Sequence, residues 1–173
     1  MLLKKNSGWM VYVEGMKEYV NKELGSKIFI ENDAYTNLLI MKKESCQFET
    51  GGILIGYYDE ECQNAIIKEC TSPPEDSEAR RNYFFRGIKG LKCLLKERWE
   101  EKREYYLGEW HLHPNASPIP SITDVAQMKK IEHDPQFNCK EPILLILGEK
   151  SNCTILNLIV FKNNKQYFYN ETN

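Results

Sequence analysis

Apolar positions recur along this chain with two periods, and the switches between them divide it into elements. Residues 9–13 and 27–30 read as short strands. Residues 33–44 read as a helix, with Asp33 as a possible cap and Leu38, Leu39 and Met41 supplying apolar contacts. The run ETGGILIGYY, residues 49–58, is β-rich, and residues 65–70 suit a hairpin neighbour for it. Pro73 and Pro74 forbid continued ladder pairing, so residues 71–85 begin as a loop and end in an aromatic cluster with the character of a short strand. Residues 87–103 form the clearest helix, with Leu91, Leu94, Leu95 and Trp99 on one stripe, as in a helix laid on a sheet. A strand at 105–113 follows. After a proline loop come a helix at about 122–133 and strands at 143–147, 154–161 and 166–169. Strands alternating with helices, then strands in succession, predict an α/β domain with a central mixed sheet flanked by helices.

Composition narrows the picture. A chain of 173 residues is about one domain and buries roughly two-thirds of its unfolded surface. No repeat, low-complexity tract or linker divides it. Hydrophobic residues at 42% and charged ones at 28% belong to an ordinary globular protein. A net charge of −2 gives no global field to recruit nucleic acid or an anionic membrane, so neither is expected as a partner. The segment MLLKKNSGWM lacks the apolar run of a secretory signal, and no stretch approaches the ~20 apolar residues that cross a bilayer, so a cytosolic setting is expected. The six cysteines, at 46, 62, 70, 93, 139 and 153, include no CxxC and are read as reduced, with Cys70 and Cys153 as small core hydrophobes.

The chemistry concentrates in EWHLHPNASPIPSITD, residues 109–124. Side chains two apart on a strand share a face at about 6.6 Å, so His111 and His113 can lean onto one ion while Trp110 and Leu112 anchor the strand in the core. Asp124, returned toward them by the stiff loop from Pro114 to Pro120, is the candidate third ligand. Three protein ligands leave a fourth position for water, the pattern of a catalytic zinc. Ser121 with Asp124 three residues on is also a capping-box pattern that needs no metal; the two readings are compatible. Glu109 shares the histidines' face and is open to three roles: ligand, orienting partner of a ligand, or solvated edge residue.

The string HxHPxxxPxPSxxD, carried by His111, His113, Pro114, Pro118, Pro120, Ser121 and Asp124, closely resembles the signature of the JAMM metalloproteases, also called the MPN or JAB family. The resemblance covers about residues 27–162 of a domain taken as 1–173. It implies a cytidine-deaminase-like α/β/α fold, one zinc ion on His111, His113 and Asp124, and a water-activating glutamate at the start of an earlier strand. Glu49, before Thr50, Gly51 and Gly52, holds the matching place. A carboxylate there takes the water's proton and passes it to the departing amine. Ser121 would hydrogen-bond the forming oxyanion; if it only caps the helix, its loss should barely change the rate.

Family members mostly hydrolyse the amide or isopeptide bond after the C-terminal tail of ubiquitin or a ubiquitin-like protein. YLGEWHLHPNASPIPS with ETGGILIG looks most like bacterial members found beside ubiquitin-like conjugation enzymes, including the deconjugating peptidase of CBASS antiphage operons. That implies a ubiquitin-like tail or its conjugate as substrate and an E1- or E2-like enzyme as a possible neighbour. The alternatives are a hydrolase that trims sulfur-carrier proteins, a non-catalytic MPN scaffold, and a RadC-like role on DNA, which the near-neutral charge disfavours. A zinc deaminase is excluded, since HxE and PCxxC are absent. His133 is read as complementing a helix dipole. With only His133 and Cys139 in residues 127–141, a second zinc is unsupported. Arg80, Arg81 and Arg86, around Tyr83, Phe84 and Phe85, are read as either a wall of the substrate groove or an ordinary basic edge.

Overall fold

A computed structural model describes residues 16–45, 47–81, 83–151 and 153–172; the strand expected at 9–13 and Cys46 lie outside them. Short alternating stretches form a hairpin of β1 (Lys17–Asn21) and β2 (Ser26–Ile30), followed by α1 (Asn32–Glu44). The glycine-led run becomes β3 (Thr50–Tyr58), with β4 (Ala65–Cys70) antiparallel beside it. After the double proline, β5 (Glu78–Arg80) and β6 (Tyr83–Phe85) make a small separate hairpin. Then come α2 (Leu91–Lys102), β7 (Tyr105–Leu112), α3 (Ile122–His133), β8 (Ile143–Lys150), β9 (Cys153–Lys162) and β10 (Lys165–Glu171).

The main sheet is mixed, as expected, because β2 with β4 and β7 with β8 run parallel while the other pairs are antiparallel. It differs from an open central sheet in closing on itself, in the order β1-β10-β9-β8-β7-β3-β4-β2. Closure is the work of β1, a strand not anticipated in the polar stretch KEYVN: it pairs with β2 along five residues and reaches β10 through Tyr19↔Glu171 and Val20↔Asn170. Closing removes the exposed edges that an open sheet would present to other chains.

Alternation then assigns the two faces. One face gathers Ile28, Ile30, Leu54, Ile67, Trp110, Leu112, Leu145 and Leu158 around Ala34 and Leu38 of α1. The other packs Leu144, Ile146, Ile159 and Phe161 against Met128 and Ile131 of α3. The N-cap of α1 is Glu31, not Asp33; its side chain makes no cap bond and instead pairs with Lys68 on β4. The stripe on α2 buries less than expected, for none of its residues is fully buried and Trp99 is 48% exposed. This helix leans on the outside of β7, with Trp99 tilted on Tyr105 at 6.3 Å and Arg98 bonded to Glu69 at 2.7 Å. Cys153, expected in the core, is exposed at the start of β9, whereas Cys70 is buried and its thiol pKa is driven up by desolvation.

Candidate metal centre

Strand β7 divides its side chains as its sequence alternation requires. Trp110 and Leu112 point into the first apolar cluster, and the indole Nε1 donates to the Thr71 carbonyl at 3.0 Å. On the other face Glu109, His111 and then His113 project toward α3. Strand β3 is paired beside it with Thr50 opposite Leu112 and Gly51 opposite His111, a register that brings Glu49 alongside His113. Glu49 is fixed through its backbone, whose N–H donates to Arg80 O at 2.9 Å. Gly51 must be glycine for this approach: a Cβ there would lie 2.4 Å from Trp110 O, 2.9 Å from the Phe84 ring and 3.1 Å from the His111 ring. Phe84 meets His111 edge-on, with centroids 6.2 Å apart.

The proline loop is clamped to the sheet along its length. His113 N–H donates to Leu147 O at 2.8 Å, Glu149 N–H to Ala116 O at 2.7 Å, and Asn157 Nδ2 to Pro118 O at 2.8 Å. Gly148 permits that closeness, since a Cβ on it would stand 2.6 Å from both Ala116 O and Pro118 N. The loop thus delivers the start of α3 to the histidines. Ser121 caps the helix: its Oγ accepts from Asp124 N–H at 3.1 Å, and Asp124 Oδ2 accepts from Ser121 N–H at 2.7 Å. The capping box expected from the sequence is present, and it aims the Asp124 carboxylate.

That carboxylate reaches both imidazoles, with Oδ1 2.9 Å from His111 Nδ1 and Oδ2 3.5 Å from His113 Nε2. One ligand atom from each of the three residues lies within 4.8 Å of the others. Two imidazoles and a carboxylate, His111 and Asp124 buried and His113 half-buried, are a donor set that suits a divalent transition metal. Desolvation works against the His111 cation, but the hydrogen bonds it donates to Asp124 and Glu109 outweigh it, and without a metal the pKa is pushed up to about 9. Burial would raise the Asp124 pKa; the two histidines overcome it and hold the group well below the usual carboxylate range. Partial burial raises the pKa of Glu49, with His113 opposing, Asp124 reinforcing and His111 again opposing. Glu49 therefore feels all three.

Glu109 is fully buried and behaves differently. Its Oε2 lies 3.5 Å from His111 Nε2 and accepts from Gln127 Nε2 at 2.7 Å; its Oε1 accepts from Arg86 Nε at 3.0 Å and Nη2 at 2.8 Å. Its full burial rules out the solvated edge residue, and its contacts put it behind His111 with both oxygens partnered. Arg86 accordingly leaves the expected groove wall or basic edge: its side chain is 8% exposed and faces inward. Arg80 and Arg81 stay on the exposed surface. Arg86, Gln127 and Phe84 were not anticipated at the centre. The one signal for Arg86 was Glu109 itself, a carboxylate on an inward face that needs a cation. His133 sits at the end of α3, its Nδ1 2.7 Å from Lys129 O, away from the cluster.

Residues 31–158 match the family described as prokaryotic homologs of the JAB domain, and the chain belongs to that family. Among its relatives, a protein of Enterobacter hormaechei named CD-NTase/cGAS isopeptidase is 49% identical over 100 residues, covering 58% of this chain and 55% of that protein. An Escherichia coli protein of the same name is 32% identical over 106 residues (59% of this chain, 63% of that one), and a Sinorhizobium fredii protein named probable metalloprotease is 29% identical over 101 residues (57% and 62%). The matched stretch thus spans little more than half the length of these relatives. A Desulfitobacterium hafniense protein solved in solution shares the fold, with a TM-score of 0.60 at 16% identity over 84% of this chain and 89% of that one.

Proposed function

We propose that this protein is a zinc isopeptidase that hydrolyses the amide bond joining the C-terminal tail of a ubiquitin-like or similarly conjugated protein to its target. The observation that carries the reading is the convergence of His111, His113 and Asp124 within 4.8 Å, with Glu49 brought to their side by the pairing of β3 with β7. Those three residues would hold one zinc ion. When bound, zinc supplies Lewis-acid chemistry, making a water acidic near neutral pH and polarising a carbonyl.

The remaining steps belong to the chain. The Glu49 carboxylate accepts the proton of the attacking water and returns it to the amine as the C–N bond breaks, so that carboxylic acid and free amine leave and Glu49 is again ionised. Ser121 Oγ accepts a bond from Asp124 N–H, which leaves its own hydroxyl proton free for the developing oxyanion. Phe84 of the small hairpin meets His111, and its strand neighbours Tyr83 and Phe85 are exposed, so the hairpin offers an aromatic edge to an extended tail. We read the sheet with α1 on one face and α3 on the other as the α/β/α layering of a deaminase-like fold, in one metallopeptidase domain whose core is about residues 27–162.

The name of the Enterobacter relative supports a conjugate containing a CD-NTase or cGAS-like protein. With the resemblance of the histidine segment, it favours a cytoplasmic role in antiphage defence beside E1- or E2-like conjugation enzymes. Incubation with amide-linked fusions of candidate tails tests the reading. The unaltered protein should cleave, a chelator should stop it and zinc restore it, and Glu49→Gln should be inactive. Cleavage indifferent to both chelator and substitution would end the proposal.

A further inference from the structure

Behind His111 lies a buried polar cluster that the reaction above does not use. Arg86, just past β6, Glu109 on β7 and Gln127 in α3 meet there, with Tyr106 OH 3.4 Å from Glu109 Oε1. A carboxylate that is 0% exposed is costly unless both oxygens are partnered and its charge answered. Arg86 answers the charge with two of its fork nitrogens on one oxygen and spends a third, Nη1, on Gly87 O at 2.9 Å. Gln127 holds the other oxygen at 2.7 Å, and that same oxygen faces His111 Nε2.

We propose that Arg86 and Gln127 are positioning residues for the metal centre, acting through Glu109 to fix the ring of His111 so that its other nitrogen is presented beside Asp124. The inference rests on the zinc reading above. Two segments from outside β7 pin one carboxylate by both of its oxygens, so it cannot turn about its own axis, and the imidazole it faces is held with it. Gln127 lies one turn beyond Asp124 on the same face of α3, so this helix supplies both a ligand and a restraint on another ligand. A planar fork, unlike an ammonium, can grip the carboxylate from two nitrogens, which is why lysine would not replace Arg86.

A purely structural ion pair makes a different prediction, and the double substitution Arg86→Met with Glu109→Met separates the two. Replacing a whole buried pair by apolar groups commonly leaves stability intact or improved, whereas removing one partner does not. The double variant should therefore unfold in urea near the concentration that unfolds the parent, yet bind zinc about 10–100-fold more weakly in competition with a chromophoric chelator. Its cobalt-substituted form should show a shifted visible spectrum. Gln127→Leu, which keeps the ion pair, should weaken zinc binding in the same direction by a smaller factor, and decides the matter if the double variant does not fold. Zinc affinity equal to the parent's in the folded variants overturns this proposal alone; no zinc binding by the parent overturns both readings.

Discussion

Two glutamates stand near the same imidazoles, and their surroundings divide their work. Glu49 is half-exposed at the mouth of the site, where a carboxylate can exchange protons with a bound substrate. Glu109 has both oxygens occupied and no route to solvent. Glu49→Gln is expected to lower kcat by about 10²–10⁴ while zinc content, read by metal analysis, is kept. Glu109→Leu strands the Arg86 guanidinium and is expected to cost about 3–5 kcal/mol in urea unfolding; a loss near zero would mean Arg86 finds water. Ser121 carries two readings that one substitution separates. Glycine at the N-cap costs only a few tenths of a kcal/mol relative to serine, so Ser121→Gly should leave stability nearly unchanged and lower kcat by about 10²–10³ if the hydroxyl serves the oxyanion. An unchanged kcat would leave Ser121 as a cap alone.

At the scale of elements, the loop joining β7 to α3 decides where Asp124 stands relative to the histidines. Gly148→Ala would drive a methyl into Ala116 O and Pro118 N, both 2.6 Å from the added carbon and both backbone atoms. The loop has to lift, and the expected result is weaker zinc binding in the chelator competition together with a lower Tm. Wild-type affinity would show that the capping box alone sets Asp124. The parts of this unit were legible because they are local: the alternation of Trp110 and Leu112 with the histidines, the prolines and the capping pattern all lie within one contiguous stretch. Helix α3 begins and ends where those signals put it. What escaped was long-range. Strand β1 is written in KEYVN, with no apolar alternation of note, and becomes a strand only because β2 and β10 offer it edges, the latter about 150 residues away. Arg86 reads like any basic residue beside aromatics until the fold places Glu109 beneath it. Trp99 kept its place on a helix stripe but not its burial, since a stripe says which face turns inward and not how closely the sheet approaches.

For the whole molecule, the relevant division is between the apolar clusters and the metal site. The clusters on both faces of the closed sheet contain none of His111, His113 and Asp124, which stand between the face of β7 and the first turn of α3. Folding is therefore expected to proceed without an ion, unlike small domains that exist only with zinc bound. A metal held as proposed would bind the folded state alone, since His111, His113 and Asp124 converge only when loop, strand and helix are in place. Free zinc at about 1,000 times its dissociation constant should add about 4 kcal/mol to stability. For a chain of this size each kcal/mol moves Tm by about 2–4 °C, so stripping the metal should lower Tm by on the order of 10 °C while unfolding stays cooperative. In His113→Ala the same chelator should produce little shift, because the ion is already lost. Two outcomes would count against this arrangement: collapse of the apo protein into a non-cooperative state, which would make the ion part of the core, or a chelator shift of full size in His113→Ala, which would put the stabilising metal elsewhere.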